Sequence, residues 1–458
     1  MAQDSLRRLP LDNPLAAPLL VEPRLTLHGA PQVDGSGGLP PPPQPSVGCL
    51  GVAVFYFDPR EGNVVEWCFP PSLDAESSEF SAIASGMHES PADFVYFRHG
   101  RLYGLSCFHK LRTGDAEERD VRMRAVAAFS PELEPLHRHH AALLAHAARL
   151  NANPGDTEPL LRLLEPSPAA DAYEVCAADA PPLMLRPSAT ARAWATWAEV
   201  PEADGGALLA ALGGSRLLTL WKALLLRRRV LLYAPPPVGE LCERALRTLL
   251  VLHTDGGDAA RWVRPLLPEP LLHVGLHQAH ELARRDGSGG RDGGGVVACT
   301  GEALFFHKPE LWDVFASPTE VRLRNEDERG LWATQRDEMR FARLAEAVRA
   351  AVGRAAAGGA CAPSNGGGVG AGGGAAAAVA RAAAAEAAAE GAVARYFAEQ
   401  NAKLFDGLEA RVAAGAHTLE PADLERCGMG ASDAPFMRLL VKELRLNLEV
   451  KLPRFRCC

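Results

Sequence analysis

Apolar residues first gather at 49–57, where Val52, Val54 and Tyr56 face one way and Ala53, Phe55 and Phe57 the other, the pattern of a strand covered on both faces. A turn at 59–63 predicts an antiparallel partner at 64–69, and a short helical pattern at 79–84 ends at Gly86, a residue suited to a left-handed cap. Strands at 93–98 and 101–109 flank His99 and Gly100, a two-residue loop in which glycine supplies positive φ. A fifth strand follows at 121–129. Ser130 as N-cap and Pro131 at the first helical position start a helix whose Leu133, Leu136, Leu143, Leu144, Ala147 and Leu150 share one stripe. The order ββαβββα, an antiparallel meander with helices packed on one face, predicts an α+β lobe over 47–155.

The rhythm then changes. An apolar helix at 217–226, a short buried strand at 230–233 and an amphipathic helix at 238–252 are followed by strands at 271–276, 296–300 and 313–315. Such alternation predicts an α/β lobe over 156–320 with a mostly parallel sheet, and 287–295 reads as a glycine-rich surface loop. Residues 321–352 are a charged helical segment, with the helix itself at 326–352, and 353–391 collapse into glycine and alanine, a composition that can form a fraying helix with almost nothing to pack and is read as a linker. Val393, Phe397, Leu404 and Leu408 fall on one helical face, a helix is expected at 436–444, and Leu446, Leu448, Val450 and Leu452 alternate. The unit at 392–458 is thus a small helical module. Residues 1–46, with Pro40 to Pro43 and a Gly-Ser-Gly-Gly run, read as a disordered tail.

A chain of 458 residues is too long for one core of ordinary size, which agrees with two or three units. A net charge of −8 and a pI of 6.0 repel a phosphate backbone and argue against nucleic acid as partner. Ten scattered cysteines without a CxxC pair, and no NxS/T sequon, fit free thiols in a reducing compartment. Pro18 interrupts the N-terminal apolar run, which opposes a signal peptide, and Lys222, Arg227 to Arg229, Arg381 and Glu386 break the longest apolar stretches. The expected place is the cytoplasm, with at most peripheral association with endomembranes.

Chemistry-bearing motifs are scarce. No GxxxxGK[ST] cradle exists for phosphates, and the 287–295 glycines lack its lysine. His137, His139, His140 and His146 have spacings that can converge on a metal, but no HExxH or carboxylate pair accompanies them, and a solvated helix face accounts for them. His273, His277 and His280 fall where a strand runs into a helix, which scatters them. No GxSxG elbow is present, and the cysteines read as buried, inert thiols. Arg227 to Arg229 could meet anionic lipid or an acidic partner, or simply complement the dipole of the helix they end. Cys457 and Cys458 resemble a prenylated Rab terminus, yet form no CaaX box. No residue receives a catalytic, cofactor-binding or metal-ligating role.

Several blocks resemble the DENN family: FDPREGNVVEWCFP at 57–70, SGMHESPADFVYFRHGRLYGLSCF at 85–108, ERDVRMRAV at 118–126, LWKALLLRRRVLLYAPPPVGELC at 220–242, VACTGEALF at 297–305, ARYFAEQNAKLFDGLEA at 394–410 and GMG at 428–430. The resemblance spans most of 49–458, and 287–295 and 353–391 look like insertions against it. It implies a longin-like N-lobe, a DENN α/β lobe and a helical end. It also implies a guanine nucleotide exchange factor for a Rab-type small GTPase that lies against both lobes, an activity needing no cofactor and no covalent catalysis. A non-catalytic scaffold pairing with another longin-DENN protein in membrane trafficking is the alternative, and activation of GTP hydrolysis through an arginine finger is a third, for which no loop motif singles out an arginine. Trp221, the 230–233 strand and the 235–237 proline turn are expected to fix the fold rather than touch a partner.

Overall fold

The computed structural model describes residues 49–114, 120–164, 216–255, 257–284, 295–325, 328–358 and 373–451. The expected tail at 1–46, the loop glycines 287–294 and the terminal Cys457 and Cys458 lie outside them.

The chain opens with β1 (Gly51–Asp58) and β2 (Gly62–Phe69), then a single helical turn α1 (Glu79–Ala82), β3 (Ala92–His99), β4 (Leu102–Arg112) and β5 (Val121–Ser130). Two helices, α2 (Glu134–His137) and α3 (His140–Ala152), close this lobe, and α3 lies on β4 and β5 with Leu143, Ala147 and Leu150 buried. The meander is antiparallel throughout, and its order is β2-β1-β5-β4-β3.

Three local expectations need correction. The hairpin pairs His99 with Leu102, so its two loop residues are Gly100 and Arg101, with positive φ at Gly100. Ser130 ends β5 instead of capping a helix, its hydroxyl accepting the Glu132 N–H, and the helix begins at Glu134 and is divided between α2 and α3. The first helix stops at Ala82, while Gly86, at φ 93, leads into a short turn of tighter helix, Met87–Glu89.

The second lobe contains α4 (Arg216–Leu225), β6 (Arg229–Tyr233), α5 (Val238–Thr248), α6 (Gly257–Val263), β7 (Glu269–His273), α7 (Ala279–Ala283), β8 (Val296–Thr300), β9 (Val314–Ala316) and β10 (Val321–Leu323). Strands β7, β8, β6 and β9 run parallel, as the helix and strand alternation implied, and β10 returns antiparallel on β9. The strand expected at 271–276 starts two residues earlier and stops at His273, with a register shift against β8 between Pro270 and Leu272.

One ten-stranded mixed sheet carries both lobes, since β3 meets β7 through the pair Phe97 and Leu272. Helix α5 packs on β3, β7 and β8 and bridges that seam. The main core runs from Val52 to Val450 without interruption, and a smaller one around Leu231, Val296, Phe305 and Phe315 covers the other face of the parallel strands.

The C-terminal part differs most from expectation. Helix α8 (Gln335–Gly358) starts at Gln335 rather than at 326, where Thr334 and Asp337 exchange backbone and side-chain hydrogen bonds as a cap. The glycine and alanine tract is helical at both ends: α8 continues to Gly358, and α9 (Gly373–Ala413) begins inside the stretch expected to be a linker. Alanine's high helix propensity lets this sequence extend the helix that Phe397, Leu404 and Leu408 anchor in the core. Beyond it come β11 (Thr418–Leu419), α10 (Pro421–Arg426), α11 (Ala434–Glu443) and β12 (Glu449–Val450); among the described residues of the alternating tail Glu449 and Val450 pair, in parallel with β11, and Leu452 lies outside the described residues. These elements share the main core instead of forming a separate one.

Candidate docking surface at the lobe junction

The junction is stitched mostly by side chains, because the sheet itself offers one residue pair there. Asp93, 7% exposed at the start of β3, accepts the Val238 and Gly239 N–H groups through its two carboxylate oxygens at 2.9 and 3.0 Å. It therefore caps α5 from the other lobe and satisfies donors that a helix start leaves open. Burial pushes its pKa up, against the three backbone N–H groups that favour the anion. The close approach needs Gly239, since a Cβ there would sit 2.4 Å from the Phe94 ring. Arg98 pairs with Glu269 across the seam, the Cys242 thiol donates to the Tyr96 carbonyl at 3.7 Å, and Ser81 hydrogen-bonds His277 at 3.1 Å.

Around that last contact the surface becomes apolar. Phe80 on α1 is 51% exposed, and Leu276 and Leu304, in the turns that follow β7 and β8, are 45% and 48% exposed. The Phe80 ring lies 5.8 Å from the His277 ring, and the Glu302 carboxylate accepts the Leu276 N–H at 3.4 Å, so both turns and α1 meet at His277 and Glu302. Burial lowers the His277 pKa, with Glu79 opposing and His280 assisting, and burial raises that of Glu302 against the Leu276 N–H. The place lies beyond the carboxyl ends of the parallel strands β7 and β8, the side on which open α/β sheets bind their ligands. Exposed large apolar groups contributed by two lobes, rimmed by Glu79, Glu302 and His280, have the character of a protein-docking surface.

The residues singled out from sequence lie largely elsewhere. His137 and His140 stack at 6.4 Å on α2 and α3; the Tyr96 hydroxyl reaches His137 Nδ1 at 2.9 Å, and burial with His140 nearby lowers the His137 pKa to about 4. No group of three metal-ligating side chains occurs among the described residues. His273, His277 and His280 fall in β7, the following turn and α7, and only His277 belongs to the apolar surface. Burial raises the thiols of Cys107, Cys299 and Cys427, so all three stay protonated.

The arginine triplet is not a free basic patch. Arg229 lies in β6, 1% exposed, where its guanidinium and backbone N–H meet Asp313 and its Nη1 donates to the Leu282 and Glu310 carbonyls. Arg228 pairs with Glu328, and Arg227 lies 3.9 Å from Glu443. Arg229 is thus committed to the interior, whereas Arg227 and Arg228 keep part of their side chains at the surface. Trp221 is fully buried and donates to the Asn401 side chain at 2.8 Å.

Beside Trp221 stands a charge cluster that sequence reading missed. Lys222, fully buried, contacts Asp337 at 2.5 Å and Asp433 at 3.3 Å, and Arg340 reaches the same two carboxylates at 2.6 and 3.3 Å. Arg340 also donates to the Gly428 carbonyl at 2.6 Å. Burial works to raise the Asp337 pKa, but Lys222 and its other donors hold it below the usual carboxylate value. The cluster is neutral and ties α4, α8 and the start of α11 together, with no surface role.

No helix among the described residues is long and apolar enough to cross a membrane. Residues 52–328 match the family described as DENN domain-containing protein 11, a stretch that contains nearly all of the ten-stranded sheet. The chain is 31% identical over 280 residues to DENN domain-containing protein 11 of Rattus norvegicus, covering 60% of this chain and 59% of the relative. Against the Xenopus laevis protein of the same name the identity is 31% over 279 residues, 60% of this chain and 61% of the relative. The matched region thus spans about 60% of the length of these curated relatives.

Proposed function

The chain belongs to the DENN domain-containing protein 11 family, and on that premise we propose that it is a guanine nucleotide exchange factor for a Rab-type small GTPase. Under this reading residues 47–155 are a longin-like lobe, residues 156–320 the DENN lobe, and the C-terminal helices a buttress behind them. The observation that carries the proposal is that exposed Phe80 of one lobe lies against His277, next to exposed Leu276 of the other, with exposed Leu304 in the turn that follows Glu302, the acceptor of the Leu276 N–H. A GTPase covering these three residues touches both lobes at once.

Exchange of this kind requires the nucleotide-loosened GTPase to bind better than the loaded form. Reversing a 1:99 equilibrium takes about 5.5 kcal/mol of differential affinity, within the reach of an interface of roughly 1,600 Å² with a few buried aromatic and aliphatic anchors. No bond is made or broken. Purified protein incubated with a panel of GTPases loaded with fluorescent GDP should accelerate release from at least one Rab-type member, and Phe80→Asp or Leu276→Asp should abolish the acceleration. A panel without any response would refute the activity, whereas full activity in both variants would move the surface elsewhere.

A further inference from the structure

The end of β7 departs from ordinary strand geometry at the residues leading into the docking surface. Its register against β8 breaks between Pro270 and Leu272, and Leu272 is held at φ 62, a conformation that L-leucine rarely adopts. The Leu272 side chain, 1% exposed, stays seated in the main core, and its backbone makes the one pair that joins β7 to β3. Packing therefore holds the strain in place.

His273 comes next, also 1% exposed, and neither ring nitrogen finds a hydrogen-bond partner among the described residues. A neutral imidazole carries one N–H and one acceptor lone pair, so both a donor and an acceptor are shut away from water without compensation. The last firm ladder bond is Val274 N–H to the Cys299 carbonyl at 2.8 Å. Beyond it the Gly275 and Leu276 amides reach only side-chain oxygens, of Gln278 and Glu302, at 3.4 Å each. A strained residue, an unsatisfied buried ring and two long side-chain bonds follow one another, and the segment they control displays Leu276 and His277.

We propose that residues 272–278 form a switch held in a strained position in the free protein and released when a protein surface covers Phe80, Leu276 and Leu304. Release carries Leu272 toward ordinary strand geometry, moves the turn that bears Leu276, and opens His273 to a hydrogen-bond partner. The inference rests on the docking reading for its trigger, but the strained resting state stands on the free protein alone.

Hydrogen exchange of the full chain, read by mass spectrometry, tests the two parts separately. In the free protein the amides of 275–277 should exchange at least about tenfold faster than those of Val297 and Ala298 in neighbouring β8, as expected of a segment that opens locally. His273→Phe, which removes the unsatisfied groups and keeps a planar ring, should slow them by about tenfold and leave β4 and β5 unchanged. Equal protection of the two stretches in the free wild-type chain would overturn the proposal without any variant. Unchanged exchange in a folded His273→Phe chain would overturn it as well. Leu276→Asp should remove any GTPase-induced change at 275–277 while leaving their fast exchange in the free chain, so loss of the docking reading is distinguishable from loss of the switch.

Discussion

Replacing Lys222 with methionine removes the ammonium from a cluster that holds two cations, Lys222 and Arg340, and two anions, Asp337 and Asp433. Methionine fills most of the volume, so the main loss is electrostatic. One carboxylate is left without compensation among groups that are 0% to 6% exposed, and breaking such a pair from one side costs about 3–5 kcal/mol. With a urea m-value of about 3 kcal/mol/M, the unfolding midpoint falls by about 1–1.7 M. Asp433→Asn alone should cost a similar amount, since it leaves a surplus positive charge beside Trp221. The double variant restores neutrality, and its cost should fall short of the sum of the two single costs by well over the 0.5 kcal/mol within which independent sites add. Urea unfolding of the four proteins, followed by far-ultraviolet circular dichroism, measures the cycle. Simple additivity would refute the reasoning, because it would mean that Lys222 and Asp433 do not compensate each other.

Asp93→Ala should destabilise by about 2–3 kcal/mol, measured by thermal unfolding, because two N–H groups at the start of α5 lose their acceptor in a buried junction. Gly239→Ala should cost about 1–3 kcal/mol in the same assay through collision with Phe94, whereas Gly62→Ala, which meets open space at φ 89, should cost about 1 kcal/mol from backbone strain alone. Acid provides a further check. Burial lowers the His273 pKa to about 4 with His277 contributing, so the unfolded chain takes up this proton first; stability is complete above pH 6.5 and is lost as pH falls from 6.5 toward 4. The shift corresponds to about 3 kcal/mol, and His273→Phe should flatten that part of the stability profile while His137, also about 4, continues to contribute to it.

Local signals explain why much of the fold was legible. The strand at Val296–Thr300 is where the apolar run places it, and the antiparallel meander and parallel strands follow from alternation and from short apolar runs between helices. Partners distant in sequence were not legible. Lys222 looked like a charge interrupting an apolar helix, whereas its partners lie 115 and 211 residues away. Arg229 looked like a helix-terminal charge, and its carboxylate, Asp313, is 84 residues away. The poly-alanine stretch offered no side chain to pack, so nothing local distinguished a linker from a helix extended by its neighbours. Phe80, Leu276 and Leu304 sit in segments without a motif, and only folding brings α1 beside the two turns.

The lobe junction carries a consequence for how the docking surface is tuned. With a single sheet pair between β3 and β7, the shared apolar core sets the coarse placement of Phe80 and Leu276, and Asp93 at the α5 start, Arg98 with Glu269 and Ser81 with His277 set its fine adjustment. Each of these contacts is polar and made by a few atoms, so losing any one lets the surface turns shift by a fraction of an ångström while the shared core stays folded. An interface that must favour one state of its partner over another is sensitive to such shifts, because its selectivity is a difference between two affinities. Substitutions at Asp93 or Glu269 should therefore alter nucleotide release in Rab assays more than they alter partner affinity in the nucleotide-free state. An equal effect on both would mean that the surface works as a simple platform, indifferent to the relative placement of its two halves.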